Sequence, residues 1–261
     1  MKKIITAVIF ISSILVYNES HSQFKLPEVF SVRNVEIVNV VAEILYANSV
    51  KEYAELETQY LPGVKRFLMK GERGVRTGKY VFVYTFDHRY TRNYYFPTPD
   101  AESYPKYTAQ ISESMQNIGS SEYLEGKVKV DDEYTDYVIL NYAEMINPQL
   151  GEVIAMRFFE IPEKKQKKFE EFTKQIHDAF QKNVEGYYIY IGKGDRGERT
   201  GKYVMITAID TYDRRNAYFP ETEVLSEQYN EALKKVDDII STMNSFLGEQ
   251  DMEFTDYLVI K

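Results

Sequence analysis

Two clusters of cations stand at matching places in this chain. Arg73, Arg76 and Lys79 lie in the run GERGVRTGK that begins at Gly71, and Arg196, Arg199 and Lys202 lie in GDRGERTGK from Gly194. Guanidinium groups present paired donors to a carboxylate or phosphate, and the interleaved glycines let backbone amides approach the same anion. The competing reading is a solvated hairpin tip whose cations pair with neighbours such as Glu72 and Asp195. Neither run is a phosphate-binding loop: the Gly-Lys-Ser/Thr ending is absent, and a strand rather than a helix is predicted to follow.

Asp87 and Asp210 come next, followed five residues later by Arg92-Asn93 and Arg215-Asn216. An Asp–Arg pair that fastens the loop to Tyr95-Phe96-Pro97 and Tyr218-Phe219-Pro220 accounts for this pattern without a ligand. An active site needs only one copy of each group, so residues that differ between the copies are the better catalytic candidates. His88, where the other copy has Thr211, is the clearest: a general base, a metal or haem ligand, or an exposed loop histidine. His177 is either an axial ligand or a helix-surface residue. With no cysteine and so few histidines, a zinc–thiolate or multi-histidine site is implausible. No hydrolase elbow, zincin helix or EF-hand loop occurs. Asp131-Asp132-Glu133 reads as a solvated acidic turn before it reads as a calcium seat, and no metal is expected.

The chain that must position these groups is an internal duplication. Gly71–Pro97 and Gly194–Pro220 are identical at roughly 15 of 27 positions, and EYTDYVIL from Glu133 matches EFTDYLVI from Glu253. In the first copy the pattern predicts a strand over Val35–Leu45, a helix capped by Asn48 or Ser49 and running to about Tyr60, and strands Val64–Lys70 and Lys79–Asp87. A helix opening at Thr98-Pro99 and a strand Thr135–Leu140 complete it. The second copy repeats the order: Glu152–Ile161, a longer helix from Pro162 to about Lys182, Gly186–Lys193, Lys202–Asp210, one helix from Leu225 to Phe246, and Phe254–Ile260. Strand, helix, strand, strand, helix, strand is the split β-α-β arrangement, ferredoxin-like, and here it occurs twice. The repeats span 23–146 and 152–261, joined by Asn147–Gly151. On the third strands Val81, Val83 and Thr85 resemble Val204, Ile206 and Ala208, whereas Tyr80, Phe82, Tyr84 and Phe86 have diverged from Tyr203, Met205, Thr207 and Ile209. The uniform face is expected under the helices. The divergent face, with Tyr84, is expected to look into a ligand cleft between two sheets.

Residues 1–22 read as a secretory leader: Lys2 and Lys3, an apolar run Ile4–Val16, and small residues at Ser20 and Ser22 for cleavage before Gln23. The expectation is a periplasmic or secreted protein with no stable membrane insertion and no lipid anchor. Loss of Lys2, Lys3 and Glu19 with the leader takes the formal charge from -8 to about -9, which disfavours nucleic acid as a partner. A small molecule or a protein remains as partner, for a monomer or a homodimer.

Two ferredoxin-like units in one chain resemble the α+β barrel superfamily, in which two such sheets face each other. The resemblance implies an α+β fold with an intrachain barrel and two function classes. One is an exported binding or interaction module using the cleft, with no cofactor. The other is an enzyme, haem-dependent like the chlorite dismutase-like proteins or a cofactor-free oxygenase. For the haem branch His88 or His177 would be the proximal ligand. The absence of tryptophan speaks against the haem-degrading monooxygenase branch, which uses an Asn, Trp and His set. A third reading is a structural or cell-surface interaction protein with no small ligand.

Overall fold

The computed structural model describes residues 24–98, 106, 109, 111, 122–131, 134–145, 149–222, 224–248 and 254–260. The first half runs β1 (Phe24–Lys25), β2 (Val29–Ile37), α1 (Val40–Tyr60), β3 (Val64–Gly74), β4 (Tyr80–Phe86), α2 (Arg89–Tyr95), β5 (Val128–Val130) and β6 (Thr135–Ile139). The second runs β7 (Gln149–Leu150), β8 (Val153–Phe159), α3 (Glu163–Asn183), β9 (Tyr187–Gly197), β10 (Tyr203–Ile209) and α4 (Tyr212–Tyr218), then α5 (Glu227–Lys234), α6 (Asp237–Leu247) and β11 (Phe254–Ile260). The expected leader and most of the helix expected after Thr98 lie outside the described residues. So do Asp132 and Glu133 of the acidic turn. Among the described residues no helix is long and apolar enough to cross a membrane.

Eight antiparallel strands close into a barrel within one chain, in the order β4-β3-β11-β8-β10-β9-β6-β2 and back to β4. Within the halves the orders are β6-β2-β4-β3 and β11-β8-β10-β9. Two seams join them, β3 to β11 and β9 to β6, and each carries a bulge at the same place, after Asp256 and after Asp136. Gly74 (φ +101°) and Gly197 (φ +90°) face those seams: an added Cβ would stand 2.2 Å from the Phe254 carbonyl oxygen and 1.9 Å from that of Tyr134. Only glycine tolerates both the dihedral and that approach.

The expected assignment of the sheet faces is reversed. Val81, Val83, Val204, Ile206 and Ala208 line the barrel interior with Met69, Ile154, Met156, Tyr137 and Tyr257, and these side chains fill it. The expected cleft between the sheets is therefore a packed core. Tyr80, Phe82, Phe86, Tyr203, Met205 and Ile209 point outward beneath the helices. The physical reason is that both copies build one shared interior and so keep matching residues there. Each outer face instead answers to its own helix, and the helices differ.

That difference is large. Helix α3 seals its sheet with Phe169, Phe172, Ile176 and Phe180, an apolar stripe at helical spacing, completed by Tyr229, Phe246 and Leu247 of the last helices. Helix α1 buries only Ala42, Val50 and Glu57, and leaves Val40, Val41 and Ile44 exposed. It is fastened to β3 by ion pairs, Lys70 to Glu43 at 2.8 Å and Arg66 to Glu57.

Several expected boundaries also move. Strand β2 ends at Ile37, and α1 begins at Val40, because the Asn39 side chain accepts a hydrogen bond from the Ala42 amide at 2.9 Å. The β-branched Val40, Val41 and Ile44 mimicked a strand. Both first helices are 21 residues long, so the expected shortening of the first copy's helix is corrected. The single last helix is two, divided at Lys235-Val236.

Candidate functional site

Beneath α1, between the helix and the outer wall of the barrel, lies a cavity of about 350 Å³. That volume is within the range of small-ligand pockets. Its helix side is Tyr46, Ser49, Val50 and Tyr53, and its sheet side is Ser31, Arg33, Arg66, Phe82, Tyr84, Phe86 and Asp136. Arg92, Phe96, Thr98, Val130, Tyr134 and Arg196 close the ends.

At its floor is a charged cluster. Glu57 is fully buried, accepts from Arg66 Nε at 2.5 Å and from Arg66 Nη2, and accepts from the Tyr84 hydroxyl at 3.1 Å. Arg66 also donates to the Tyr84 oxygen, and its guanidinium lies 4.8 Å from the Tyr53 ring centre. Burial pushes the Tyr46 phenol up to about 12, against the opposing pull of Arg66 and Arg33. Tyr46 is therefore neutral and a hydrogen-bond donor at pH 7. Burial also raises Asp136, although Ser31 and Arg92 bind its carboxylate.

The duplication shows what is special here. The two first helices and the strands after them align with no gap. At the positions of Tyr46, Ser49, Tyr53, Glu57, Arg66 and Tyr84 the second half has Phe169, Phe172, Ile176, Phe180, Ile189 and Thr207. A sealed aromatic core in one half has become a polar, open pocket in the other. Sequence reasoning missed Glu57, Arg66, Arg33, Tyr46 and Asp136. An acid and a base replacing two apolar residues at duplicate positions was the available signal.

Of the sequence-predicted ligand residues, only Tyr84 and Arg196 line this pocket. The repeated arginines are engaged within the protein and bind the halves together. Arg73 donates to the Phe219 carbonyl at 2.6 Å and to Asn216 at 3.3 Å, while Arg196 donates to the Phe96 carbonyl at 2.7 Å and to Asn93 at 2.8 Å. Arg76 bonds Tyr257, and Arg199 bonds Tyr137 and lies 4.5 Å from the Phe158 ring centre. Lys79 is exposed, and Lys202 pairs with Glu160 at 2.7 Å. The Asp87–Arg92 and Asp210–Arg215 anchors are not formed. The short helices α2 and α4 turn both arginines to the seams, where Arg92 meets Asp136 at 3.0 Å and Asp195 at 2.6 Å, and Arg215 meets Glu72 and, at 3.8 Å, Asp256. Asp87 instead accepts from Thr91, and Asp210 from Arg214.

Neither histidine fits haem. The His88 side chain is 58% exposed, beside Glu28 at 3.4 Å, and away from the pocket. His177 is fully buried, not on the helix surface as one reading had it; its Nδ1 lies 3.2 Å from the Ile189 carbonyl oxygen and its ring stacks on Tyr190 at 5.0 Å. The space around it is occupied by the side chains of α3 and β9. No histidine lines the cavity under α1. Burial lowers the His177 pKa, against the Ile189 carbonyl that favours the cation. A depressed folded-state value means stability that is complete above the unfolded value near 6.5 and lost as pH falls through the folded one. We expect urea-unfolding free energy to drop between pH 7 and 5 more steeply in the wild type than in His177→Phe. Parallel profiles would show that His177 is charged or hydrated in the fold.

No protein family matches the chain by its sequence pattern, and no curated protein matches it. Among solved structures, a candidate monooxygenase from Lactobacillus acidophilus is 12% identical over 88% of this chain and 93% of its own, with a TM-score of 0.48. A haem-binding protein from Thermus thermophilus is 8% identical over 92% and 94%, at 0.45. A chlorite dismutase variant from Candidatus Nitrospira defluvii is 6% identical over 88% and 91%, at 0.44. Likenesses at these scores decide nothing about activity, and the functional reading rests on the pocket.

Proposed function

We propose that the chain is an exported tandem of two ferredoxin-like units, closed as an α+β barrel, in which the first unit binds one small organic molecule and the second is structural. The ligand lies between α1 and the barrel wall, not between the sheets. The observation that carries this reading is that Phe180 and Ile189 of the second half correspond to the buried pair Glu57 and Arg66 in the first, where Arg66 lines a 350 Å³ cavity. A buried ion pair is weak support for stability compared with apolar packing of the same volume. A local departure from good packing is the mark of a functional position, and the intact second half shows that the fold does not require it.

A second reading, catalysis, is favoured by Tyr84. Its hydroxyl lies between the Arg66 guanidinium and the Glu57 carboxylate, so a proton can pass from the phenol to the buried acid while the cation stabilises the phenolate. That arrangement suits a cofactor-free α+β barrel enzyme acting on a bound acid or phenol. Tyr84→Phe separates the readings, because it leaves binding within a few-fold and abolishes turnover.

Native mass spectrometry of the protein exported by its own host tests the binding reading. The expected result is a chain beginning at Gln23 with a one-to-one adduct that is absent on denaturation and absent from Val50→Trp, which fills the cavity. Loss of no mass on denaturation, or an adduct that survives Val50→Trp, would overturn it.

A further inference from the structure

We propose that the molecule held under α1 is a monoanion, a flat and mainly apolar acid whose carboxylate is seated by Arg33; this rests on the binding reading above and narrows it.

Among the described residues the charges around the cavity do not balance. Four arginines line it: Arg33, Arg66, Arg92 and Arg196. Arg66 is paired with Glu57, and Arg92 with Asp136 and Asp195. Arg196 donates to the Phe96 carbonyl and Asn93, and Asp136 and Asp195 are the negative charges that act on it. Arg33 has no hydrogen bond or ion pair among the described residues, and its Nε is buried without a partner. Its guanidinium rests 5.0 Å from the Tyr134 ring centre, an arrangement that uses the face of the group and not its N–H edge. A buried N–H lacking an acceptor is costly, and a carboxylate supplies two acceptors in a geometry that matches a guanidinium edge.

The duplicate position sharpens the point. Strand register pairs Val29 with Phe86 and Val153 with Ile209, so Arg33 corresponds to Arg157. Arg157 lies over Phe254 at 5.1 Å, as Arg33 lies over Tyr134. Yet Arg157 is the leading positive influence on the buried Asp256, whereas the equivalent Asp136 is served by Arg92 and Arg196. In the first half the same arginine, after Arg66, is a positive influence on the pocket phenol Tyr46. Among the described residues Arg33 is the pocket cation without an acidic partner, and a carboxylate on the ligand supplies one.

The rest of the wall describes the body of the ligand. Tyr46, Tyr53, Phe82, Phe86 and Phe96 line the cavity, and aromatic rings favour a planar skeleton that can stack on or edge against them. A chain with a formal charge of -8 gains no long-range attraction for anions, so selectivity has to come from Arg33 locally.

Equilibrium dialysis of the full mature chain against 2-naphthoate and the neutral, nearly isosteric 2-naphthamide tests this at fixed ionic strength. The wild type is expected to bind one naphthoate per chain about tenfold or more tighter than the amide. Arg33→Gln should bring the acid down to the level of the amide and leave the amide unchanged, and Arg33→Lys should recover part of the preference. Equal affinity for acid and amide in the wild type, a comparison that needs no variant, would overturn the anionic class while leaving the pocket standing. Preference retained in Arg33→Gln would overturn the seat. If neither compound binds, or if both bind equally well to Val50→Trp, the pocket reading itself fails.

Discussion

Glu57→Ala is expected to cost about 3–5 kcal/mol of unfolding free energy, because it leaves the largely buried Arg66 guanidinium without its carboxylate. Glu57 is fully buried, and the Arg66 side chain is only 9% exposed. The Tyr53, Phe82 and Tyr84 rings around Arg66 return part of that loss, since a desolvated cation over a ring gains on the order of 2 kcal/mol, but no ring replaces a carboxylate. Changing both partners gives the opposite outcome. Glu57→Phe with Arg66→Ile installs the residues of the second half, Phe180 and Ile189, on a backbone of the same length and register. The double variant is expected within about 1.5 kcal/mol of wild type or above it, since apolar packing of similar volume commonly equals or exceeds a buried ion pair. It should also lose the bound ligand. Urea unfolding reads the first effect and native mass the second. If the single variant loses less than about 1 kcal/mol, the pair is hydrated and the cavity is open to bulk water.

Legibility followed how local each signal was. Most strands lie within a few residues of their expected places, because alternating Val, Ile, Tyr and Phe between glycine turns is a short-range pattern; the exception is the first, expected at Val35–Leu45 and found at Val29–Ile37. The pattern failed at Val40–Leu45, where β-branched residues outweighed a cap that depends on one side chain, Asn39. The two faces of β4 and β10 were separable by sequence, but which face is inside is decided by closure across β3–β11 and β9–β6. No local pattern reports that closure. The same seams explain the arginines. Arg73 and Arg196 lie beside acids in sequence, yet their partners Phe219 and Phe96 are 146 and 100 residues away. Asymmetry between the copies within Gly71–Pro97 singles out His88 against Thr211. Applied to the helices, the same comparison reaches Glu57.

The larger of the two seam latches should be the one at Arg92. Arg92→Ala leaves Asp136, 4% exposed, with its direct ion pair gone, and leaves Asp195 of the second half paired to Arg89 alone, so a loss of about 3–5 kcal/mol is expected. Arg215→Ala, at the equivalent seam, should cost distinctly less. Arg215 Nε and Nη1 make no hydrogen bond among the described residues, Glu72 is 30% exposed, and Asp256 keeps Arg157 and Arg73 as neighbours. The Arg92→Ala deficit should also depend on pH. Burial already raises the Asp136 pKa, and loss of the cation raises it further. A folded state with a raised carboxyl pKa binds a proton that the unfolded chain does not, so its stability grows as pH falls through the folded value. The gap between Arg92→Ala and wild type should therefore narrow from pH 8 to pH 5, and Arg92→Ala with Asp136→Asn should show no such narrowing. A gap independent of pH would mean that the deficit comes from lost packing of the arginine stem rather than from a stranded acid. Because Arg92 and Asp136 are also pocket wall, the same variant couples the seam to the site: ligand affinity should fall in Arg92→Ala and stay within a few-fold of wild type in Arg215→Ala, whose latch lies at the opposite seam.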